Sequence, residues 1–225
     1  MMTARRSKRA AARTSATPTR EVILDTAERL FAERGVDGVA LRDLARAMNL
    51  TAPSLYNHFP SKQALYEAVL ERGLRPILTA VVGSRHPGAL RPDQIGATVE
   101  ALVTHFTTHP YMARLVQRAL LDESVSVRRL VARGLTPLYG EGVAVVGEAA
   151  HETGWNAEEV PQLALGLFGL VFAYFTNAAA LANLDARGDD PMAPPALAVQ
   201  RRVLEKAIYR LLGPQPATRA DREEH

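Results

Sequence analysis

The chain has 225 residues, of which 47% are hydrophobic, and a formal net charge of +3 at pH 7. This length and apolar content allow one large domain or two small ones, each with a buried core. The sequence contains no cysteine, which excludes a disulfide framework, a thiolate nucleophile and a cysteine-based metal site, and favours the cytoplasm.

The N-terminal segment is a basic arm. Six arginine or lysine side chains and no acidic one lie in residues 1–20, so the positive charge is local. No long apolar run is present there, which argues against a secretory signal peptide. We expect residues 1–18 to be disordered, and either to follow a DNA backbone or to be only a solvated tail.

The first predicted helix runs from Thr19 to Arg34 and ends at Gly35. Its apolar face consists of Ile23, Ala27, Leu30 and Phe31. We expect this face to cover the two short helices that follow.

Residues 41–59, LRDLARAMNLTAPSLYNHF, predict two short helices joined by a tight turn. Asn49 tolerates the left-handed backbone that the reversal requires. Thr51 can cap the second helix, whose first turn accommodates Pro53. The first helix presents one apolar stripe, made of Leu41, Leu44, Ala45 and Met48. The pattern indicates a helix-turn-helix, although an ordinary helical hairpin would show similar spacing.

The outer face of the second helix is small, polar and nearly uncharged, because Leu55 and Phe59 take the inner side. Such a face can lie against base edges in a major groove, while Tyr56 and Lys62 suit phosphate oxygens at its margin.

The sequence of residues 19–69 resembles the corresponding segment of the TetR family of bacterial repressors. The likeness rests on AERLFAERG, on RDLARAM and above all on LTAPSLYNHFPSKQALY. Ala40 departs from the family's usual Thr or Ser cap, and Asn49 from its usual turn glycine. The resemblance implies DNA contacts at Arg42, Thr51, Ala52, Pro53, Ser54, Tyr56, Asn57, His58 and Lys62.

Ser61 can cap a linking helix in which Leu65, Val69 and Ile77 face the core. Gly73 and Pro76 either kink this helix or separate two helices. We place the helix-turn-helix domain at residues 19–66 and a second domain at residues 67–214, followed by a polar tail at 215–225.

The second domain reads as entirely helical, because no stretch alternates with the period of a half-buried strand. We expect helices at about 92–106, 111–121, 124–153 and 196–212. Gly134 and Pro137 predict a bend or break in the third of these. The predicted fold is therefore all-α, with a three-helix N-terminal DNA-binding domain and a helical C-terminal domain for ligand binding and dimerisation.

Residues 160–184 form a run of 25 residues without a charge, long enough to span a bilayer. Gln162, Asn177, the lack of aromatic belts and a DNA-binding head argue against a membrane. A helix that is apolar all round can instead bury one face in a partner subunit. We expect the last helix to pack beside it, and the resemblance implies a four-helix homodimer interface through about residues 157–184 and 196–212.

No catalytic residue, metal site or cofactor is expected. His105 and His109 lie four apart, but no complete metal-binding set accompanies them or His151. There is also no phosphate-binding glycine loop, nucleophile motif or acid pair.

Eight aromatic or weakly polar residues of the second domain could line a pocket: Phe106, Tyr111, Tyr139, Trp155, Phe168, Phe172, Tyr174 and Asn177. Six of them are candidate ligand contacts: Phe106, Tyr111, Tyr139, Phe172, Tyr174 and Asn177. The alternative is that they are ordinary core and interface residues.

These expectations describe a cytoplasmic homodimer that represses transcription at inverted-repeat operator DNA and is relieved by a small hydrophobic effector. One alternative is a DNA-binding dimer without a ligand, whose second domain only dimerises. Another is an all-α enzyme with an accessory DNA-binding head.

Overall fold

The structure, a computed structural model, describes residues 20–184 and 189–214. The basic arm at 1–18 and the polar tail at 215–225 lie outside the described residues. Within the described ranges the chain forms helices and no strand, which confirms the all-α fold. The helices are α1 (Arg20–Arg34), α2 (Leu41–Ala47), α3 (Ala52–His58), α4 (Lys62–Gly83), α5 (Pro92–Thr108), α6 (Met112–Leu120), α7 (Val125–Thr153), α8 (Val160–Leu184) and α9 (Pro194–Leu212).

Helices α1 to α3 and the first half of α4 surround one small core, which we call the head. Its centre is fully buried and consists of Ile23, Phe31, Leu44, Leu55 and Leu65. The ring of Phe31 meets Tyr66 edge-on, with centroids 5.2 Å apart. Burial, reinforced by the charge of Asp122, raises the pKa of the Tyr66 phenol, which therefore stays protonated.

The turn between α2 and α3 has the predicted conformation. Asn49 has a φ of 55°, in the left-handed region. The N–H of Leu50 then donates to the carbonyl of Ala45 at 2.8 Å, closing the turn. Thr51 caps α3, since its Oγ1 accepts from the N–H of Ser54 at 3.3 Å. The tight reversal expected between the two helices is confirmed.

Helix α4 is uninterrupted, so Gly73 and Pro76 lie within one helix rather than between two. Gly73 lets α4 approach α6 closely, because a Cβ there would lie 2.0 Å from the Cε of Met112. The first half of α4 therefore belongs to the head and the second half to the C-terminal bundle.

Helix α7 is also uninterrupted, and the break suggested by Gly134 and Pro137 is absent. Pro137 cannot donate a backbone hydrogen bond, but α7 packs along α4, where Arg133, one turn before the proline, donates to Glu67 at 3.0 Å. Gly134 serves that packing, because a Cβ there would lie 2.9 Å from Leu74 Cδ1.

Helix α8 has the predicted bounds, and only one of its faces is buried. Val171, Phe172 and Phe175 lie in the core. The opposite face, with Gly169 and Ala173, is exposed. Among the described residues, Val160–Ala178 is the one stretch long and apolar enough, by length and composition, to cross a membrane. In this fold 22% of that stretch is buried, and these buried residues form part of the helical bundle.

Helix α9 packs mainly against α5, and it also makes the expected contact with α8, which is smaller. Leu204 and Leu212 are its buried residues. Two hydrogen bonds fix its C-terminal end. Trp155 Nε1 donates to the carbonyl of Leu211 at 2.8 Å, and the N–H of Leu90 donates to the carbonyl of Leu212 at 2.7 Å. These bonds satisfy two of the last carbonyls and tie the end of α9 to the segment before α5 and to the segment after α7.

A buried ionic cluster joins the head to the bundle. The carboxylate of Glu28, on α1, is 2% exposed. It accepts a hydrogen bond of 2.7 Å from Arg72 Nη2 on α4 and lies 3.3 Å from His109 Nδ1 at the end of α5. Burial alone would lower the pKa of Arg72, but hydrogen bonds and charges from Asp25 and Glu28 outweigh it and raise that pKa. Arg72 is therefore charged, and it compensates the buried carboxylate.

Beside this cluster lies a buried histidine, His105, whose ring centroid is 4.9 Å from that of His109. Burial, together with the charge of His109, lowers the pKa of His105 below its ordinary value. His105 is therefore neutral at pH 7.

The lowered pKa of His105 predicts a loss of stability in mild acid. As the pH falls below 6.5, the ordinary histidine pKa, the unfolded chain binds a proton at His105 while the folded chain does not. Chemical denaturation between pH 7 and 5 should therefore show a smaller decrease in the free energy of unfolding for His105→Leu than for the native chain. His151→Gln, at an exposed position of α7, is the control. An unchanged pH dependence in His105→Leu would contradict the prediction.

The turn predicts a second stability effect. Asn49→Gly should leave the free energy of unfolding nearly unchanged, whereas Asn49→Val should lower it by about 1 kcal/mol or more, because a β-branched residue is strained at positive φ. Ala47→Val, at an exposed helical position nearby, controls for the lower helix propensity of valine, which costs about 0.5 kcal/mol. Equal stability of Asn49→Val and Asn49→Gly in urea unfolding would be incompatible with a strained turn.

Candidate nucleic-acid interface and effector cavity

Helix α3 is anchored from one side and open on the other. Leu55 and Phe59 are buried in the head core. Of the predicted contacts in and beside α3, Thr51, Pro53, Tyr56 and Asn57 are exposed, and Ala52, Ser54 and His58 are half-buried. No lysine, arginine or acidic residue lies in α3. The open side is therefore a small, uncharged helix face.

Cationic side chains surround this face. Arg42 is exposed on α2. Arg20, at the start of α1, places its guanidinium 5.1 Å from the centroid of the Phe59 ring, next to the end of α3. Lys62 lies at the start of α4, and its Nζ donates to the carbonyl of Val36 at 2.8 Å. An ammonium has three donors, so this bond leaves capacity for another acceptor.

The contact between Lys62 and Val36 was not foreseen from the sequence. It joins two segments 26 residues apart, and no local pattern predicts such a pairing. Lys62 therefore has a structural contact within the head in addition to the phosphate contact implied by the resemblance.

A cavity of about 330 Å³ lies in the C-terminal bundle, within the range of small-molecule sites. The second half of α4 forms part of its wall through Ile77 and Val81, and Phe168 and Phe172 of α8 also line it. Further walls come from α5, α6, α7 and α9. Because the lining is almost entirely apolar, the cavity is suited to a hydrophobic molecule.

Only some of the pocket residues proposed from the sequence line this cavity. Tyr139 and Phe172 line the cavity, as does Phe168, whose ring stacks on that of Phe172 at 4.0 Å. Phe106 lies outside the lining, stacked on Phe175 at 4.7 Å.

The other three candidates are also outside the lining. Tyr111 lies at the start of α6 and is partly exposed. The hydroxyl of Tyr174 donates to the carbonyl of Pro191 at 2.5 Å, and burial raises the pKa of this phenol, with a further contribution from Asp190. The amide of Asn177 donates to the carbonyl of Ala173 at 2.8 Å.

Sequence reasoning missed several lining residues, among them Ser84, Thr98 and Leu120. No sequence signal distinguishes them, because the filled part of the core and the wall of the cavity are formed by the same residue types at the same helical spacing. Among the described residues no cluster of three or more potential metal ligands is present.

Comparison with known proteins identifies the head. Residues 23–69 match the family model described as bacterial regulatory proteins, tetR family. Over 48 residues the chain is 46% identical to IcaR, the negative transcriptional regulator of the biofilm operon icaADBC in Staphylococcus aureus (strain Newman). Over 85 residues it is 38% identical to the transcriptional repressor KstR2 of Rhodococcus jostii (strain RHA1). These matches cover 21% and 38% of this chain, and 26% and 40% of the relatives.

The whole fold is also similar to solved structures. A tetR-family regulatory protein from Rhodococcus RHA1 aligns with a TM-score of 0.61 and 21% identity, covering 88% of this chain and 98% of the other. AibR, solved in complex with isovaleryl coenzyme A and operator DNA, aligns with a TM-score of 0.59 and 17% identity, covering 87% and 99%. At these identities the likeness shows the fold alone. Residues 23–69 are therefore a helix-turn-helix domain of the tetR family of bacterial regulatory proteins, and the fold of the described chain is similar to that of solved tetR-family regulators.

Proposed function

We propose that the protein is a transcriptional repressor that binds an inverted-repeat operator as a homodimer and is relieved by a small hydrophobic effector. The observation that carries this proposal is the connection made by α4, which packs in the head at its first half and lines the cavity at its second. The cavity also favours this function over that of a DNA-binding dimer without a ligand.

The head has the surface that DNA recognition needs. An uncharged helix face can enter a major groove without meeting unpaired charge, and the cations beside it can reach phosphates on the groove edges. Asn57 and Ser54 are suited to base edges, while Arg42, Tyr56 and Lys62 are suited to the backbone. The names of the relatives, IcaR and KstR2, describe transcriptional regulators and support the same function.

The exposed face of α8 supports a homodimer. Leu165 is 60% exposed, and Gly166, Gly169 and Ala173 continue the same small, apolar surface. Small residues permit close approach of a second helix, and burial of this surface in a partner removes it from water. A two-fold dimer would present two α3 helices to two half-sites.

The effector would act through the position of α4. Two α3 helices must be about 34–36 Å apart to occupy successive major grooves on one side of the DNA. The effector would have a higher affinity for a form of the dimer in which the two α3 helices have a different separation. Such a molecule shifts the population away from the DNA-binding form. Typical coupling of about 1–3 kcal/mol weakens operator binding roughly 5- to 150-fold, and operator DNA weakens effector binding equally.

The DNA interface is tested by a pair of substitutions. Lys62→Ala should weaken binding to all sequences alike and reduce the salt slope of the binding constant by about 0.9, because it removes one phosphate contact. Asn57→Ala should instead change sequence preference by about 1–3 kcal/mol, because it removes a base contact. Fluorescence anisotropy over a salt series, with footprinting on an inverted repeat, measures both.

Lys206→Ala, which removes an exposed cation of α9, is the matched control for charge. Thermal unfolding of Lys62→Ala controls for its bond to Val36. Unchanged affinity and salt slope in a folded Lys62→Ala protein, or protection of a single half-site by a monomer, would disprove this interface.

The dimer is tested by a charge on the exposed face of α8. Ala173→Glu should raise the dissociation constant of the dimer by about 100-fold or more, because an unpaired carboxylate would be buried in the interface. Ala132→Glu, at an exposed position of α7, is the matched control. Sedimentation velocity across a concentration series measures the change, and an Ala173→Glu protein that dimerises as tightly as Ala132→Glu would rule out this interface.

A further inference from the structure

The cavity is unusually poor in polar groups. Among the described residues that form its wall there is no charged side chain, amide or imidazole, and only Ser84, Thr98 and Tyr139 carry a hydroxyl. A ligand therefore meets almost no group that could compensate a charge.

Two of these hydroxyls are already used within their own helices. Ser84 Oγ donates to the carbonyl of Val81 at 2.7 Å, and Thr98 Oγ1 donates to that of Gln94 at 2.9 Å. Each hydroxyl has one hydrogen to donate, so neither has one left for a ligand.

Tyr139 is different. Its hydroxyl has no hydrogen-bond partner among the described residues, and the side chain is 49% exposed. Leu120, which also lines the cavity, is 51% exposed. Tyr139 and Leu120 mark where the cavity opens to solvent, so the one hydroxyl that is free to donate to a ligand lies at the mouth.

The two cations that directly follow lining residues in the chain do not supply the missing charge. Arg91 follows Leu90, but its Nε and Nη2 donate to the carboxylate of Asp93 at 3.1 Å each. Arg85 follows the lining residue Ser84, but Glu148 accepts from its Nη2 at 2.7 Å and Glu141 from its Nη1 at 3.3 Å. The hydrogen bond to Glu148, its charge and that of Glu141 raise the pKa of Arg85, so the guanidinium stays charged but is occupied by two carboxylates.

We propose that the cavity selects uncharged, mainly apolar molecules that place a single hydrogen-bonding group beside Tyr139, and that it excludes carboxylates. The inference rests on the proposed effector function and specifies its ligand class. A carboxylate inside such a wall loses its hydration without gaining a counter-ion. An alcohol of the same length keeps its apolar burial and has one hydrogen bond to satisfy.

A matched pair of probes tests the charge selectivity. By isothermal titration calorimetry at pH 7.5, 1-octanol should bind the full-length protein at least about tenfold more tightly than octanoate, which is ionised at this pH. Equal or tighter binding of octanoate, or no binding of 1-octanol, overturns the proposal.

A substitution at the mouth should change this preference. Leu120→Arg places a cation on the wall at an exposed position and should raise octanoate affinity about tenfold while leaving 1-octanol nearly unchanged. The neighbouring Leu121→Arg is the matched control, because Leu121 is 76% exposed and does not line the cavity. If both variants increase octanoate affinity equally, the gain reflects general surface charge and the assignment of the mouth is wrong.

The hydroxyl of Tyr139 is tested separately. Tyr139→Phe should weaken 1-octanol by about fivefold, the effect of one neutral hydrogen bond, and leave butylbenzene unchanged, since that probe has no polar group. Thr98→Val is the control, because its hydroxyl is already bonded within α5. An equal loss for both probes in Tyr139→Phe would mean that Tyr139 contributes packing and not a hydrogen bond.

Operator affinity, measured with and without saturating 1-octanol, separates the selectivity from the proposed function. Selective binding of 1-octanol with unchanged operator affinity would support the proposed ligand class and disprove control of operator binding by an effector. Release of the operator by octanoate, but not by 1-octanol, would retain effector control and disprove the ligand class.

Discussion

Helix α4 is the constraint on which the arrangement of the two domains depends. It has 22 residues, about 33 Å of helix, and its buried stripe enters two cores in succession. Leu65 and Val69 are packed in the head, while Ile77 borders the cavity. A rigid helix shared in this way cannot move at one end without a change in packing at the other, because its side chains contact neighbouring helices along both halves. The Glu28 and Arg72 pair adds a polar contact midway along the helix, where loss of Arg72 would leave the buried carboxylate of Glu28 without its arginine counter-ion.

The helices could be predicted from the sequence wherever their limits are set locally. Thr51 and Ser61 each accept from the N–H group three residues ahead, and Asn49 takes the left-handed turn that separates α2 from α3. These interactions involve residues within one helical turn, so the chain carries the full signal. The uncharged run of α8 was equally clear, because its bounds coincide with changes in composition. The fold class and the helix-turn-helix follow from such local information.

The long-range arrangement could not be predicted in the same way. Pro137 weakens a helix locally, but the continuity of α7 depends on its contact with α4, which no short segment of sequence contains. The placement of α9 on α5 has the same origin. The cavity is the clearest case, because Phe106 and Phe172 have the same character in sequence, yet only Phe172 borders the empty space. The lining depends on where side chains fail to meet, and this is a property of the packed bundle.

The apolar cavity also has an energetic consequence. Side chains that border about 330 Å³ of space have no protein atoms on one side, so they lack part of the dispersion attraction that close packing supplies elsewhere in the bundle. A molecule that fits this space restores those contacts, and because it binds the folded chain alone it stabilises that state against unfolding. In this bundle the space that gives room for recognition is also the place where packing contributes least to stability.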